Sequence, residues 1–134
     1  MRLIEVQRAL YLALTSDPLL MAMVTGVHDH VDQGTAYPYV VIGEDATNEW
    51  DTDTEQGAES LLTIHTWSRE RGRMQTKEIQ EAIYEILHRK TLTINNAIFY
   101  SMFWEMSDSF LDPDGETRHG VMRFRLRYDS LPVS

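Results

Sequence analysis

Leu3, Val6, Leu10, Ala13 and Leu14 recur at three- and four-residue intervals, the spacing that lines one face of an α-helix, and the pattern ends near Thr15. An amphipathic helix is expected there. Ser16-Asp17-Pro18 follows, with capping residues ahead of a proline whose missing N–H does no harm in a first turn, and the apolar run from Leu19 to Val24 stops at Gly26. A short second helix is predicted. The period then falls to two. Val27 and Val31 share a face at strand spacing, and Gln33-Gly34-Thr35-Ala36 leads to a second strand, Tyr39-Val40-Val41-Ile42-Gly43, with Pro38 just ahead of it. These two strands are expected to be neighbours. Glu44 to Gln56 is acidic and without a period, so it reads as a long loop or a mobile hairpin tip.

Alternation returns from Glu59 to Trp67, with Leu62 and Ile64 on one side and Leu61, Thr63, His65 and Trp67 on the other. Ser68-Arg69-Glu70-Arg71-Gly72 reads as a turn. Ile79, Ala82, Ile83, Ile86 and Leu87 then form the cleanest helical stripe in the chain, with Glu78, Glu81 and Glu85 on its polar side and His88-Arg89-Lys90 where cations favour a helix end. Ala97 to Met106 carries large apolar residues on both parities, which predicts a central strand covered on two sides. Asp112-Pro113-Asp114-Gly115 marks a turn. In the last strand Met122, Phe124, Leu126 and Tyr128 face one way and Arg123, Arg125 and Arg127 the other. Strands interrupted by one long helix, with a tight late turn, predict an α+β fold: helices packed on a mainly antiparallel sheet.

With 134 residues, 43% of them apolar and 25% charged, the chain has the balance of one folded domain. It has no cysteine, which removes disulfides, thiolate metal sites and thiol nucleophiles. No apolar run is long enough to span a bilayer, and no export signal or membrane partner is expected. The net charge of −9 opposes general nucleic-acid binding, whose affinity comes from cations neutralising phosphates.

Candidate chemistry is sparse. His28 and His30 lie two apart with Asp29 and Asp32 nearby, yet that spacing arises easily by chance and no third histidine is close in sequence. Asp51, Asp53 and Glu55 offer hard oxygens to a cation but lack the glycine and closing glutamate of an EF-hand loop. Asp112 and Asp114 flank a proline as turn geometry wants. There is no nucleophile elbow, phosphate loop or dinucleotide fingerprint. No cofactor, metal or catalytic residue is therefore expected, and a small metal-dependent hydrolase is the weakest alternative. The candidate interface residues are Glu44, Asp45, Glu49, Trp50, Asp51, Asp53 and Glu55, with Trp50 the one large apolar side chain in an acidic segment, and the row Arg123, Arg125 and Arg127. Like charges on one strand face repel unless acids or a partner compensate them. The alternatives are pairing with acids of the same sheet, and, for Trp50, folding back on its own domain.

The stretches 28–43, 62–69 and 112–125 include Pro38-Tyr39-Val40-Val41-Ile42-Gly43, His65-Thr66-Trp67-Ser68-Arg69 and Asp112-Pro113-Asp114-Gly115-Glu116-Thr117-Arg118-His119-Gly120. They resemble the tail completion, or tail terminator, family of long-tailed phages and gene transfer agents. The resemblance covers nearly the whole chain in order, so residues 1–134 are expected to form a single tail-terminator-like domain. It implies a non-enzymatic virion protein that assembles with itself into a ring, typically a hexamer, on the head-proximal end of a tail tube. Such a ring stops tube growth and offers a surface to a head-tail connector or stopper protein, with DNA only passing through. The implied location is the bacterial cytoplasm during assembly, then the tail or neck of the particle. Another neck component, a stopper or head-tail adaptor, is the nearer alternative.

Overall fold

A computed structural model describes residues 1–54 and 56–131. Helices α1 (Leu3–Thr15) and α2 (Pro18–Met23) come first, then strands β1 (Val27–His28), β2 (Tyr39–Glu49) and β3 (Ala58–Ser68), helix α3 (Met74–Leu87), and strands β4 (Ala97–Leu111) and β5 (Arg118–Ser130). The five strands form one sheet in the order β1-β2-β3-β5-β4, antiparallel throughout except for the short parallel pair β1/β2. The helices pack on one face of this sheet, so the α+β expectation holds.

Period two decides which side chains meet the helices. Met122, Phe124, Leu126 and Tyr128 of β5 and Leu62 and Ile64 of β3 point inward, where they join Val6, Leu10 and Leu14 of α1, Leu20 of α2 and Ile79, Ile83 and Leu87 of α3 in one buried cluster. α2 starts as its sequence predicts: Pro18 opens the first turn and the Asp17 carboxylate accepts the Leu20 N–H at 2.9 Å. It ends at Met23, short of Gly26. The start of α1 has no side-chain cap of its own. It is fastened from across the sheet, where the buried Tyr128 hydroxyl accepts the Arg2 N–H at 3.1 Å and the Arg2 guanidinium donates to the carbonyls of Asn96 and Leu131.

Three elements differ from their sequence reading. Glu44 to Glu49 is not loop: β2 continues to Glu49, paired with β3 up to Ala58. The segment is polar because the sheet runs past its helix cover, so that the helix-side row ends in a Thr47–Ser60 hydroxyl bond of 2.8 Å instead of apolar packing. β4 is an edge strand, not a central one, and extends to Leu111. Its apolar residues occupy both parities because bulges between Phe99 and Ser101 and between Trp104 and Met106 each shift the alternation by one. β1 is confined to Val27–His28, leaving Val31 outside any strand.

The Asp112–Thr117 turn fixes the β4/β5 register. Asp112 and Thr117 exchange a backbone bond of 2.8 Å, Gly115 takes a φ of 72° suited to glycine, and the Thr117 hydroxyl and N–H and the Glu116 N–H hold the Asp114 carboxyl at about 2. Phe124 is fully buried at the centre of β5. Phe124→Ala is expected to lower the free energy of unfolding by about 3–5 kcal/mol in urea titrations; a loss under about 1 kcal/mol would show that this strand does not organise the core.

Candidate functional site

The face of the sheet away from the helices carries the polar chemistry, in two networks at opposite ends. At one end, β2/β3 pairing sets Val41 opposite His65, and the irregularity between Ile42 and Asp45 lets Glu44 reach back to the same ring. His65 Nε2 lies 2.9 Å from the Glu44 carboxylate and its Nδ1 lies 2.7 Å from His119 Nε2, while His119 Nδ1 is 3.7 Å from Asp112. A line of four titratable groups therefore crosses β2, β3 and β5 to the head of the turn. Trp67 stacks on His119 with centroids 3.7 Å apart and planes 14° from parallel, and Phe110, its register partner on β4, lies 4.9 Å from the same ring. Gly43 makes room for the line: a Cβ there would come within 2.5 Å of His65 Cδ2.

Two ring nitrogens facing each other share one proton, one donating and the other accepting. Burial first, and then the neighbouring His65, push the His119 pKa below its ordinary value, while Asp112 and Glu44 pull the other way. Burial opposes ionisation of Glu44, but the bond and charge of His65, with bonds from Thr63 and its own N–H, outweigh it and hold that carboxyl below the usual range.

At the other end two of the three arginines, Arg125 and Arg127, meet acids of their own sheet. Arg127 Nε donates to Glu59 at 2.8 Å, Arg125 donates to the other Glu59 oxygen at 2.5 Å and also to Glu105. The Arg127 bond first, against burial, and then Arg125 hold the Glu59 carboxyl low. The Glu105 bond leads in raising Arg125. The Arg127 guanidinium also lies 4.6 Å over the Trp50 ring, which sits 6.0 Å from Tyr100.

Among the described residues no group of three His, Asp or Glu side chains is placed to hold a metal ion. The family model for tail completion protein gp17 matches residues 8–129. The chain belongs to that family. A relative, tail completion protein gp17 of Bacillus phage SPP1, is 29% identical over 119 residues, covering 89% of this chain and 88% of its own. The solved structure of SPP1 gp17 superposes with a TM-score of 0.61 at 26% identity, over 90% of this chain and 86% of that one. A chain in the virion of a native gene transfer agent particle has a TM-score of 0.84 at 24% identity, over 92% of this chain and 94% of its own, and shows the fold. The family is structural, so this tail completion protein is a virion component with a neck or tail role and is not an enzyme.

The residues singled out by sequence are dispersed over this framework. Glu44 belongs to the histidine line. Asp45 and Glu49 share the helix-side parity of β2, and Asp45 stands at the rim of a groove beside α1. Asp51 accepts the Gly57 N–H at 3.2 Å and helps close the β2/β3 turn, Asp53 is exposed, and Glu55 lies outside the described residues. Arg125 and Arg127 are engaged with Glu59, whereas Arg123, opposite Thr63 and Met106, is exposed with no ion pair among the described residues. His65, His119, Glu59 and Glu105 were not singled out. The signal for His119 was present in the turn, since a hairpin closed by Asp112 and Thr117 necessarily sets Phe110 beside His119.

His119 charges less readily in the fold than in the unfolded chain, so its contribution is present above its ordinary value of 6.5 and lost as pH falls below it. Glu44 and Glu59, held below their ordinary 4.5, lose theirs only at more acid pH. Urea unfolding of the wild type is therefore expected to show declining stability from pH 6.5 toward pH 4.5, and His119→Phe, which keeps a ring in the stack, is expected to flatten that slope. An unchanged slope in the variant would assign the decline to other groups.

Proposed function

We propose that this protein closes as a homo-oligomeric ring, a hexamer in keeping with the family resemblance, on the head-proximal end of a finished tail tube. There it ends tube growth and presents a surface for the head-tail connector or stopper protein. The observation that carries this reading is the tail completion match over residues 8–129. DNA is a passing neighbour and not a bound partner, in line with the net charge of −9. Among the described residues no helix is long and apolar enough to cross a membrane. Assembly takes place in the bacterial cytoplasm, and the protein then stays in the neck of the particle.

The contact residues proposed for this role are the exposed Glu44, Asp45, Glu49, Asp51, Asp53 and Arg123. Trp50, Arg125 and Arg127 form a second set, already engaged with one another or with Glu59 in the single chain.

Deletion of the gene tests the reading. Electron microscopy is expected to show tails of uncontrolled length and DNA-filled heads without tails. Tails of normal length joined to heads in the deletion strain would exclude it.

A further inference from the structure

The large apolar side chains that the fold leaves exposed concentrate on two elements. Five of those described lie on β4: Ile98, Phe103, Trp104, Phe110 and Leu111. Four lie on α1: Leu3, Ile4, Tyr11 and Leu12. Apolar surface gathered in this way marks an interaction site more often than a monomer's ordinary surface. The two patches sit toward opposite edges of the sheet, since β4 ends the strand order on one side and α1 packs beside β1 and β2 on the other. One copy therefore cannot cover its own patches.

The patches differ in shape. On the α1 side the apolar residues wall a groove of about 930 Å³, floored by Val27 and Ile42. β1 pairs with β2 only at Val40 and Val41, so the outer edge of β2 beyond them is without a described strand partner and forms the groove's lip. On the β4 side the surface is a ridge. Its outer backbone edge is largely occupied: the Met102 carbonyl accepts the Arg89 N–H at 2.9 Å, the Trp104 N–H donates to His88 Nδ1 at 3.0 Å, and the Asp108 carbonyl accepts from Gln80 at 3.0 Å. Sheet extension by another strand is blocked along that stretch, which leaves side-chain docking as the way β4 can be covered.

The charges differ as well. Asp29 and Asp45 stand at the groove with His28 and His30, and Arg8 is the one arginine of the lining. Beside the ridge, Arg89 lies 5.9 Å from the Phe103 ring and Lys90 follows it, exposed, while the nearby Glu105 is already bound to Arg125.

We propose that the β4 ridge of one copy, with Phe103 as its anchor and Arg89 and Lys90 at its flank, seats in the acidic-rimmed groove between α1 and β2 of the next copy. The contact is heterologous: each copy offers one ridge and one groove, and repetition closes a ring where the rotation permits. Aromatic anchors in a concave apolar site with charges at the rim are the arrangement that concentrates binding energy at protein interfaces. This inference rests on the ring reading above and adds which surfaces meet.

Two variants test it. Leu12→Glu places a charge on the groove wall and Phe103→Glu places one on the ridge; Leu12 is 65% exposed and Phe103 40%, so both variants are expected to stay folded, with thermal melting of each monomer measured alongside assembly to separate the two effects. Each variant alone is expected to assemble on tubes about 30-fold more weakly or worse. Mixed in equal amounts, they retain one intact ridge-groove pair between unlike copies, so native mass spectrometry should find one-to-one dimers and no rings. A photo-crosslinking residue in place of Phe103, activated in assembled particles, is expected to join residues 3–12 of a second copy. If wild-type rings form but both variants assemble normally, or the crosslink goes to the tube protein or to another part of the chain, the ridge-groove contact is wrong and the ring reading stands. If wild-type particles carry no ring of this protein, the ring reading fails and this contact with it.

Discussion

Met122, Phe124, Leu126 and Tyr128 enter the core from one face of β5, and every residue between them is thereby committed to the other face. The rest of the architecture answers that commitment. Because Arg123, Arg125 and Arg127 are the committed residues, three like charges stand in a row on a sheet face, and the strands on either side must supply acids. β3 does so with Glu59, which takes both Arg125 and Arg127, and β4 does so with Glu105, the extra residue of its second bulge. The bulge is thus more than an irregularity of the edge, since without the inserted residue the alternation of β4 would carry a different side chain to Arg125. These pairs are partly exposed, and their value lies less in stability than in removing repulsion between like charges on one strand face.

The same period explains why the two ends of the outer face differ. Toward the Asp112–Thr117 turn the committed residue is His119, and the neighbours it meets are aromatic: Trp67 on β3 and Phe110 on β4. A ring there can be charged or neutral, and burial under Trp67 together with the adjacent His65 favours neutral. At the far end the committed residue is Arg127, which is always charged and takes the face of Trp50.

How far this was legible in the sequence depends on whether a feature is local. The stripe Ile79, Ala82, Ile83, Leu87 and the alternation from Met122 to Tyr128 depend only on spacing, and both appear in the structure as read, with the first on α3 and the second on β5. The Asp17-Pro18 start of α2 is equally local. What was misread depends on partners distant in sequence. Glu44 to Glu49 has no apolar face of its own and is a strand only because β3 pairs with it. Ala97 to Met106 has the composition of a covered strand, and nothing local says that β5 lies on one side of it only. The Arg125–Glu105 pair needs both the register and the bulge, neither of which composition reveals. The tail completion family was legible because its words lie in the turns and strand ends, where local geometry and sequence are tied.

An open sheet must manage two edges, whereas a barrel has none. Here they are managed by different means. β4 is closed to further strands by the backbone and side-chain groups that follow α3, yet keeps its aromatics outward; β2 keeps its outer edge accessible but dresses the strand with Glu44, Asp45 and Glu49. Two β2 edges bring like charges together, and two β4 edges meet backbone groups already engaged at Met102, Trp104 and Asp108. Like-with-like association is therefore disfavoured at both edges, and with a net charge of −9 free copies also repel at long range. The pairing proposed above joins unlike edges. A contact of that kind does not stop at two copies: it closes into a ring where its rotation permits and runs on as an open filament where it does not, and the proposed task of finishing a tube without lengthening it requires the closing case.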